Sequence, residues 1–184
     1  MEPSNLDAAL DAARAGDESG FSALFRAFHP ALVLYARRRA PDSAEDIVSQ
    51  TWLDAAAGFA TFAGDAEDFR AWLFTIAHHR IADHYRARAR RPRHVDLTEE
   101  DLPPATEATE EQALDTLSSN QAVDALTREL PPDQAEIVLL RVVAGLSVEQ
   151  VARVTGRRPG TVRVIQHRAL RRLAKIWGGE GVTP

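Results

Sequence analysis

The chain of 184 residues contains no cysteine, so it can form no disulfide, present no thiol nucleophile and build no cysteine-ligated zinc site. It has no apolar run long enough to cross a bilayer. Its first residues lack the basic stretch and the apolar stretch of a secretory signal. We therefore expect a cytoplasmic protein with no membrane insertion.

The balance of charge is acidic, with 27 Asp and Glu against 22 Lys and Arg, but the charges are unevenly distributed. Residues 1–30 carry −3, residues 31–92 carry +1, residues 93–130 carry −8 and residues 131–184 carry +5. The net charge of −5 argues against nucleic acid as a partner, whereas a basic segment set apart by an acidic one favours it. The C-terminal segment is therefore the candidate for contact with nucleic acid.

Apolar residues recur at helical spacing in nearly every segment, and no segment shows the alternation typical of a half-buried strand. Pro30 is predicted to separate two helices, and the run 41–43 (Pro-Asp-Ser) to precede a third. A loop with Gly58 and Gly64 leads to a long helix over roughly 67–91. The N-terminal half is therefore predicted to be entirely helical.

Residues 93–117 lack periodicity and are rich in Asp, Glu, Thr and Pro, which is the composition of a polar linker. Helical periodicity resumes near 110–128. The predicted fold is all-α, with two small helical domains joined by an acidic flexible linker. The predicted boundaries are a first domain at 1–92, a linker at 93–117, a second domain at 118–178 and a tail at 179–184. Such small domains favour a partner that contacts both.

The segment 145–151 has the features of a helix start. Ser147 and Gln150 can form a capping box, with Leu146 and Val151 as its hydrophobic staple. A glycine at 156 would end this short helix, and a proline at 159 would begin the next one after a tight turn.

The last helix is predicted to be amphipathic. Its apolar stripe comprises Val162, Ile165, Ala169, Leu173 and Ile176. The opposite face carries Arg163, His167, Arg171 and Lys175, with Arg168 at its border. A short helix, a tight turn and a second helix with a basic outer face form a helix-turn-helix that fits the major groove of DNA. The alternative is an αα-hairpin with a solvated basic face; the capping, the turn length and the charge together favour DNA binding.

Two blocks of the sequence carry motifs with characteristic spacing. The C-terminal block contains Leu130-Pro131-Pro132, Gly145-Leu146-Ser147 and Pro159-Gly160-Thr161-Val162-Arg163. The N-terminal block contains Ala44-Glu45-Asp46-Ile47-Val48, Trp52-Leu53 and Phe69…Trp72-Leu73-Phe74. These blocks resemble, respectively, the promoter-reading and the polymerase-binding domains of the extracytoplasmic-function sigma factors of bacterial RNA polymerase. The resemblance covers about residues 20–91 and 118–176.

The resemblance implies a protein without catalytic residues, cofactor or metal, which binds core RNA polymerase and directs promoter recognition, strand opening and transcription initiation. The helix at 44–53 would dock on the largest subunit of the polymerase. The residues implied for docking are Glu45, Asp46, Val48, Ser49, Gln50 and Trp52. An anti-sigma factor is a further implied partner. The implied location is cytoplasmic, with association to the nucleoid when the protein is bound to polymerase.

The same resemblance implies two DNA contacts. The loop at 59–68 and the helix after it would hold the melted non-template strand of the minus-ten element. The residues implied there are Phe62, Trp72, His79, Asp83, Arg86 and Arg88. Arg141, Gly160 and Arg163 match family positions that contact the double-stranded minus-thirty-five element. Candidates on the same turn and helix are Arg158, Thr161, Val164, His167, Arg168 and Arg171.

The sequence departs from the family pattern at several of these positions. Ser49-Gln50 stands where Gln-Glu is usual, and His79 where Asn is common. Val164-Ile165 replaces a common Ser-Arg pair, and Arg158 replaces a frequent Ser cap. Binding to polymerase is expected to tolerate these changes, whereas no promoter sequence is predicted from them.

Several side chains allow a second interpretation. His79 and Asp83, four residues apart on a helix, could share a metal, although no further His-Asp pair completes a hydrolase site and a DNA-facing role is favoured. Trp72 is a core residue or a brace for the melted strand. Phe59 and Phe62 either stack on bases or anchor their loop. The arginines at 86–91 are either a solvated helix end or phosphate contacts.

Two other functional classes are considered. A response regulator would share the C-terminal pattern, but its receiver domain needs alternating strands and helices, which residues 1–92 lack. A helical hydrolase would need a metal constellation, a phosphate-cradling glycine loop or a paired nucleophile and base, and none is recognisable in the sequence.

Overall fold

The computed structural model describes residues 3–90 and 127–177, with side chains from 5 to 90 and from 127 to 176. These ranges hold the helices α1 (Pro3–Arg14), α2 (Glu18–Arg39), α3 (Ala44–Gly58), α4 (Ala66–Arg90), α5 (Pro132–Val138), α6 (Val148–Thr155) and α7 (Pro159–Trp177). Short 3-10 turns lie at Pro41–Ser43 and Phe59–Thr61, and a π-helical turn at Leu139–Val143 continues α5. The described residues contain no strand, which confirms the all-α prediction.

Helices α1 and α2 form a tight antiparallel hairpin. The carboxylate of Asp17 accepts a hydrogen bond from the backbone amide of Ser19 at 2.8 Å and so caps α2. Gly20 lies against α1 so closely that a Cβ there would be 2.5 Å from the carbonyl oxygen of Ala9. The hairpin therefore needs a glycine at this contact.

Helix α2 runs through Pro30, and the prediction of a break at that residue is wrong. A proline inside a helix removes one hydrogen bond and costs about 3 kcal/mol. Pro30 is exposed, whereas Leu24, Phe28, Leu32 and Tyr35 form a buried stripe on the other side of the helix. Burial of each large apolar side chain stabilises by about 1.5–3 kcal/mol, so the continuous stripe outweighs the lost bond.

The long helix predicted over 67–91 is confirmed as α4. Phe69, Leu73, Ala77 and Ile81 are buried along one side of it, at spacings of three and four residues. Together with α1–α3 they form the core of the N-terminal part, by which we mean α1–α4.

The predicted helix-turn-helix is confirmed in detail. The side chain of Ser147 accepts from the backbone amide of Gln150, and the Gln150 side chain accepts from the Ser147 amide, completing the capping box. Gly156 ends α6 in the left-handed conformation with φ 66°. Pro159 begins α7. We call α5–α7 with the π-helical turn the C-terminal part.

The N-terminal and C-terminal parts pack against each other. Helix α6 contacts α4, the π-helical turn contacts α2, and buried residues of both parts form one continuous apolar cluster. Most of the helix predicted at 110–128, and the whole of the linker predicted at 93–117, lie outside the described residues.

Candidate nucleic-acid and polymerase interfaces

Helix α7 presents a basic face away from the core. Val162, Ala169 and Leu173 are buried on its inner side, against α5 and α6. The exposed residues at its start and on its outer side include Gly160, Thr161, Arg163, Val164, His167, Arg168 and Arg171. Every residue that the sequence placed on this face is therefore accessible, and Arg158 in the preceding turn is exposed as well.

One arginine of this face has an acidic neighbour. Arg163 Nη2 lies 2.7 Å from Oε1 of Glu149, in the first turn of α6. Both side chains are more than half exposed, so the pair is worth at most about 1 kcal/mol and can open for a ligand. Within the described ranges, Arg158, Arg168 and Arg171 form no ion pair. The outer face of α7 is therefore free to contact phosphates and base edges.

Arg141 is placed differently from the other upstream candidates. It lies half-buried in the π-helical turn, and its guanidinium donates to the backbone carbonyl of Leu146. Its Nε atom is buried without a partner among the described residues. The side chain thus braces the loop that precedes α6 and points less openly to solvent than the α7 arginines do.

An aromatic wall forms at the junction of the 3-10 turn and α4. Phe62 is stacked on Trp72 with ring centroids 5.0 Å apart, and the edge of Phe69 meets Phe62 at 5.5 Å. The guanidinium of Arg14 lies 5.7 Å from the centre of the Phe62 ring and donates to the carbonyl of Gly64 at 2.5 Å. Phe62 and Trp72 are both half-buried. They are therefore both packed and partly accessible.

These rings line a cleft of about 430 Å³. Its other wall belongs to the C-terminal part, with Gln150, Arg153 and Val154 of α6. The cleft is large enough for a nucleobase, and flat aromatic walls are suited to stacking.

The sequence left open whether Phe59 and Phe62 stack on bases or anchor their loop, and the contacts of Phe59 favour the anchoring role. It meets Phe21 at 5.6 Å and Phe69 at 5.8 Å, both edge to face. These contacts fix the 3-10 turn onto α2 and α4. Phe59 therefore anchors the loop, and Phe62 remains the candidate for a base contact.

The basic end of α4 is partly neutralised by carboxylates. Arg86 pairs with Asp83 at 2.5 Å, and Arg88 pairs with Asp42 at 3.0 Å. His79 is exposed. Asp83 thus has an arginine as its partner, and the described residues contain no group of three or more His, Asp or Glu side chains suited to hold a metal ion.

Arg80, which precedes the basic end of α4, fixes the position of α3. Arg80 donates two hydrogen bonds to Asp54, with distances of 2.5 and 2.7 Å. These bonds hold the pKa of Asp54 below its ordinary value. The two-pronged contact sets the orientation of α3, the predicted docking helix, relative to α4.

The predicted docking residues on α3 divide into an exposed and a buried group. Glu45, Asp46 and Ser49 are exposed, and Gln50 is half-buried and donates to Asp54 at 3.2 Å. Val48 and Trp52 do not lie on the surface: they are 5% and 7% exposed. Val48 and Trp52 are therefore core residues, and the prediction that they contact the polymerase directly is wrong.

Two exposed apolar residues near α3 were not predicted. Leu53 is 61% exposed, and Phe25 of α2 is partly exposed with its ring 4.8 Å from that of Trp52. The helical spacing of the buried residues Ala44, Ile47, Val48, Thr51, Trp52 and Ala55 places position 53 on the outer face, so the signal was present in the sequence. Together with Glu45, Asp46 and Ser49, Leu53 makes a mixed acidic and apolar surface.

A buried carboxylate joins the two parts, and the sequence did not suggest it. Oε1 of Glu136 on α5 accepts from the hydroxyl of Tyr35 at 3.1 Å and lies 3.1 Å from Nη2 of Arg39 and 2.9 Å from Nδ1 of His78. We call Tyr35, Arg39 and His78 the carboxylate site. Burial alone would raise the pKa of Glu136, but the hydrogen bond from His78 and the charge of Arg39 hold that pKa below its ordinary value. Glu136 is therefore ionised at neutral pH.

None of the helices in the described ranges is long and apolar enough to cross a lipid bilayer.

Comparisons with known proteins agree with this geometry. The profile for Sigma-70 region 2 matches residues 24–91, and the profile for Sigma-70 region 4 matches residues 120–173. The ECF RNA polymerase sigma factor BldN of Streptomyces coelicolor is 35% identical over 172 residues, which cover 91% of this chain and 64% of that relative. The chain thus spans just under two thirds of BldN.

A second relative is matched over most of its length. The ECF RNA polymerase sigma factor SigD of Mycobacterium tuberculosis is 34% identical over 179 residues, covering 94% of this chain and 84% of SigD. Among solved structures, the sigma factor RpoE of Bartonella quintana, in complex with the anti-sigma factor NepR, superposes with a TM-score of 0.62 at 25% identity and covers 88% of this chain and 98% of RpoE. The chain belongs to the extracytoplasmic-function family of RNA polymerase sigma factors, which are transcription initiation factors.

Proposed function

We propose that this sigma factor binds core RNA polymerase through the exposed face of α3 and directs it to promoters with two separate elements. Helix α7 reads the upstream element as double-stranded DNA. The loop before α4 and the start of α4 hold the opened minus-ten element. The observation that carries this proposal is the outer face of α7, which offers Arg163, Val164, His167 and Arg168 to the groove behind a fully capped α6.

We assign the proposed roles to the domains with the boundaries predicted from the sequence. Residues 1–92 act on the polymerase and the minus-ten element, residues 118–178 act on the minus-thirty-five element, and residues 93–117 connect them. The aromatic wall supports the first role, since Phe62 and Trp72 present ring surface to a cleft of nucleobase size. Arg86 and Arg88 contact phosphates once the phosphates of DNA replace their exposed carboxylate partners. His79 and Asp83 contribute at the same end of α4.

Initiation by this chain rests on binding and strand separation. A base that leaves the duplex is stabilised by stacking and by contacts to its edge, and this offsets the loss of stacking within the DNA. The proposed mechanism therefore needs no covalent step, cofactor or metal ion. It takes place in the cytoplasm, on the nucleoid, wherever the polymerase is bound.

We further propose that an anti-sigma factor controls the chain. The structure of RpoE from Bartonella quintana, similar to this one over most of its length, contains the anti-sigma factor NepR. The mixed surface of Leu53, Glu45 and Asp46 is accessible on α3, so a protein that covers it would block docking to polymerase.

Transcription in vitro tests the proposed function. Core polymerase with the purified chain is expected to start transcripts at defined positions on genomic DNA, and the mapped start sites should share an upstream element. The variant Arg163→Ala should weaken initiation at these start sites, whereas Arg37→Ala, the same change at an exposed position of α2, should leave it unchanged. Start sites that are absent, or the same without the chain, would contradict the proposal.

A further inference from the structure

The carboxylate site brings together side chains from both parts of the molecule. Tyr35 and Arg39 come from α2, His78 from α4 and Glu136 from α5. All three donors of the N-terminal part point to the same oxygen atom of Glu136. The residue Glu136 is 4% exposed. This is a site built for one carboxylate, and its occupant belongs to the other part of the chain.

A carboxylate in such a place depends strongly on its partners. An ionised carboxylate without partners is very costly to bury, and removing one member of a buried pair is strongly destabilising. Separation of the two parts would return Glu136 to water and leave Arg39 and His78 without their shared partner. The packed arrangement therefore depends on every member of the site, because the loss of one member would leave a buried charge without its partner.

Contacts of α6 and of the loop before it also hold the two parts together. The side-chain amide of Gln150 donates to the backbone carbonyl of Glu67 on α4 at 3.2 Å. Gly145 lies against Arg70, so that a Cβ at position 145 would be 3.0 Å from Nη1 of that arginine. Glu136 and these loop contacts thus fix α5 and α6 against α2 and α4.

In the packed arrangement the two DNA-reading surfaces lie too close together to contact both elements of a promoter. Val154 lines the same cleft as Phe62 and Trp72, and five residues further along the chain Pro159 begins the recognition helix. Five residues span at most about 18 Å. Elements centred near minus ten and minus thirty-five are roughly 25 base pairs apart, which is about 85 Å of duplex at 3.4 Å per base pair. The two reading surfaces cannot reach both elements in this form.

We propose that Tyr35, Arg39 and His78 form a carboxylate receptor, and that Glu136 occupies it in the free protein to hold the chain in a closed form. The closed form places α6 across the cleft of Phe62 and Trp72 and keeps the recognition helix beside it. Engagement of both promoter elements requires Glu136 to leave the receptor. The consequence for promoters rests on the proposed function, whereas the closure itself does not.

The closure is tested by a distance measurement on the full chain. Because the sequence contains no cysteine, two introduced cysteines can carry spin labels without other changes. Ala8→Cys on α1 and Val142→Cys in the π-helical turn are suitable, since both positions are exposed and lie outside the proposed contacts with polymerase, with DNA and between the two parts. The free chain is expected to show one narrow, short distance distribution.

Glu136→Gln is expected to raise the ratio of open to closed molecules by about tenfold or more, since the charged partner of Arg39 and His78 is lost. Asp133→Asn is the matched control: it removes the same charge from the same helix, but Asp133 is exposed and its partner Arg157 belongs to the same C-terminal part, so the distances should not change. Tyr35→Phe, which removes a single hydrogen-bond donor, should give a smaller opening and serves if Glu136→Gln fails to fold.

Three outcomes would overturn the proposal: long, broad distances in the unmodified free chain, no change with Glu136→Gln in a folded protein, or an equal opening with Asp133→Asn. Transcription in vitro with the same variants separates this failure from failure of the proposed function. A chain that starts specific transcripts but shows no closure refutes the receptor alone. A chain that closes through Glu136 but never starts transcripts refutes the proposed function alone.

Discussion

Nδ1 of His78 on α4 lies 2.9 Å from Oε1 of Glu136 on α5, across 58 residues of sequence. This contact joins the part of the chain assigned to polymerase and the minus-ten element to the part assigned to the upstream element. Arg39 and Tyr35 complete the site on the same oxygen. Under the proposed function the two parts must lie apart on a promoter, so the contact would relate the fold directly to control of the protein.

The closed form should depend on pH through Glu136. Its pKa in the packed structure is below the ordinary value of 4.5, so its contribution is complete above 4.5 and is lost as the pH falls through the lowered pKa. The spin-label distance is therefore expected to stay short from neutral pH to about 5 and to lengthen only in more acidic solution. In Glu136→Gln this acid-dependent step should be missing. An acid-dependent opening of the same size in Glu136→Gln would contradict the assignment.

Val164 is expected to read a thymine. It is 49% exposed and lies on the outer face of α7 between the basic side chains of Arg163 and Arg168, where the described residues bury little of this apolar group. In the major groove, the apolar feature of a base pair is the C5 methyl group of thymine. Burial of one such group is worth about 0.8 kcal/mol, or roughly a fourfold change in affinity.

The test replaces each thymine of a mapped upstream element by deoxyuridine, which lacks only the methyl group. One position should weaken binding of the holoenzyme about fourfold, and the effect should disappear with Val164→Ala. If no position responds, or if the response persists in Val164→Ala, then Val164 is not the reader.

Arg163 and Arg168 are expected to act differently. Arg163→Ala should cost about 1–3 kcal/mol on the upstream element through loss of a base-edge contact. Arg168→Ala should weaken binding to any sequence and lower the slope of log affinity against log salt by roughly 1. Binding titrations on matched and scrambled upstream DNA at several salt concentrations separate the two. An equal loss for Arg163→Ala on both DNAs would remove it from the readers.

Leu53 is expected to be central to docking on polymerase. Leu53→Asp places a charge on an exposed apolar position of α3 and should lower affinity for core polymerase about tenfold or more without changing thermal stability, since little of the side chain is buried. Ala15→Asp introduces the same charge at an exposed position after α1 and should leave the affinity unchanged. Equal affinities for Leu53→Asp and the unmodified chain, measured by titration with core polymerase, would exclude this surface.

The two groups of α3 residues should also separate by stability. Val48→Ala removes buried apolar volume and is expected to lower the free energy of unfolding by about 1–3 kcal/mol. Glu45→Gln, at an exposed position of the same helix, should leave unfolding nearly unchanged while weakening docking. Denaturant titration of the free chain measures the first effect. Unfolding free energies that are equal for the two variants would contradict the burial of Val48.

The helix-turn-helix could be predicted residue by residue because its determinants are local. Ser147, Gln150, Gly156 and Pro159 act on backbone groups within a few positions of themselves. Pro30 shows the limit of such local rules, since burial of a stripe that spans the whole of α2 outweighs a single helix-breaking residue.

The candidate site was predictable only where helical spacing decides exposure. The outer face of α7 followed from that spacing, and the burial of Val48 and Trp52 could have followed from it as well. The carboxylate site could not, because Tyr35 and Glu136 are 101 residues apart and only the packing of two parts brings them together. A glutamate in a short helix is ordinarily a solvated residue, and nothing near it in the sequence indicates otherwise.

The most direct measurement combines position and activity in one sample. The chain labelled at Ala8→Cys and Val142→Cys is measured alone, with core polymerase, and with core polymerase on a promoter fragment that yields mapped transcripts. The distance should be short in the free chain and longer in the transcribing complex, because the two reading surfaces are packed together in the closed form and must reach elements roughly 85 Å apart on the promoter. A complex that transcribes from a two-element promoter while the distance stays at its free value would contradict this view of the protein.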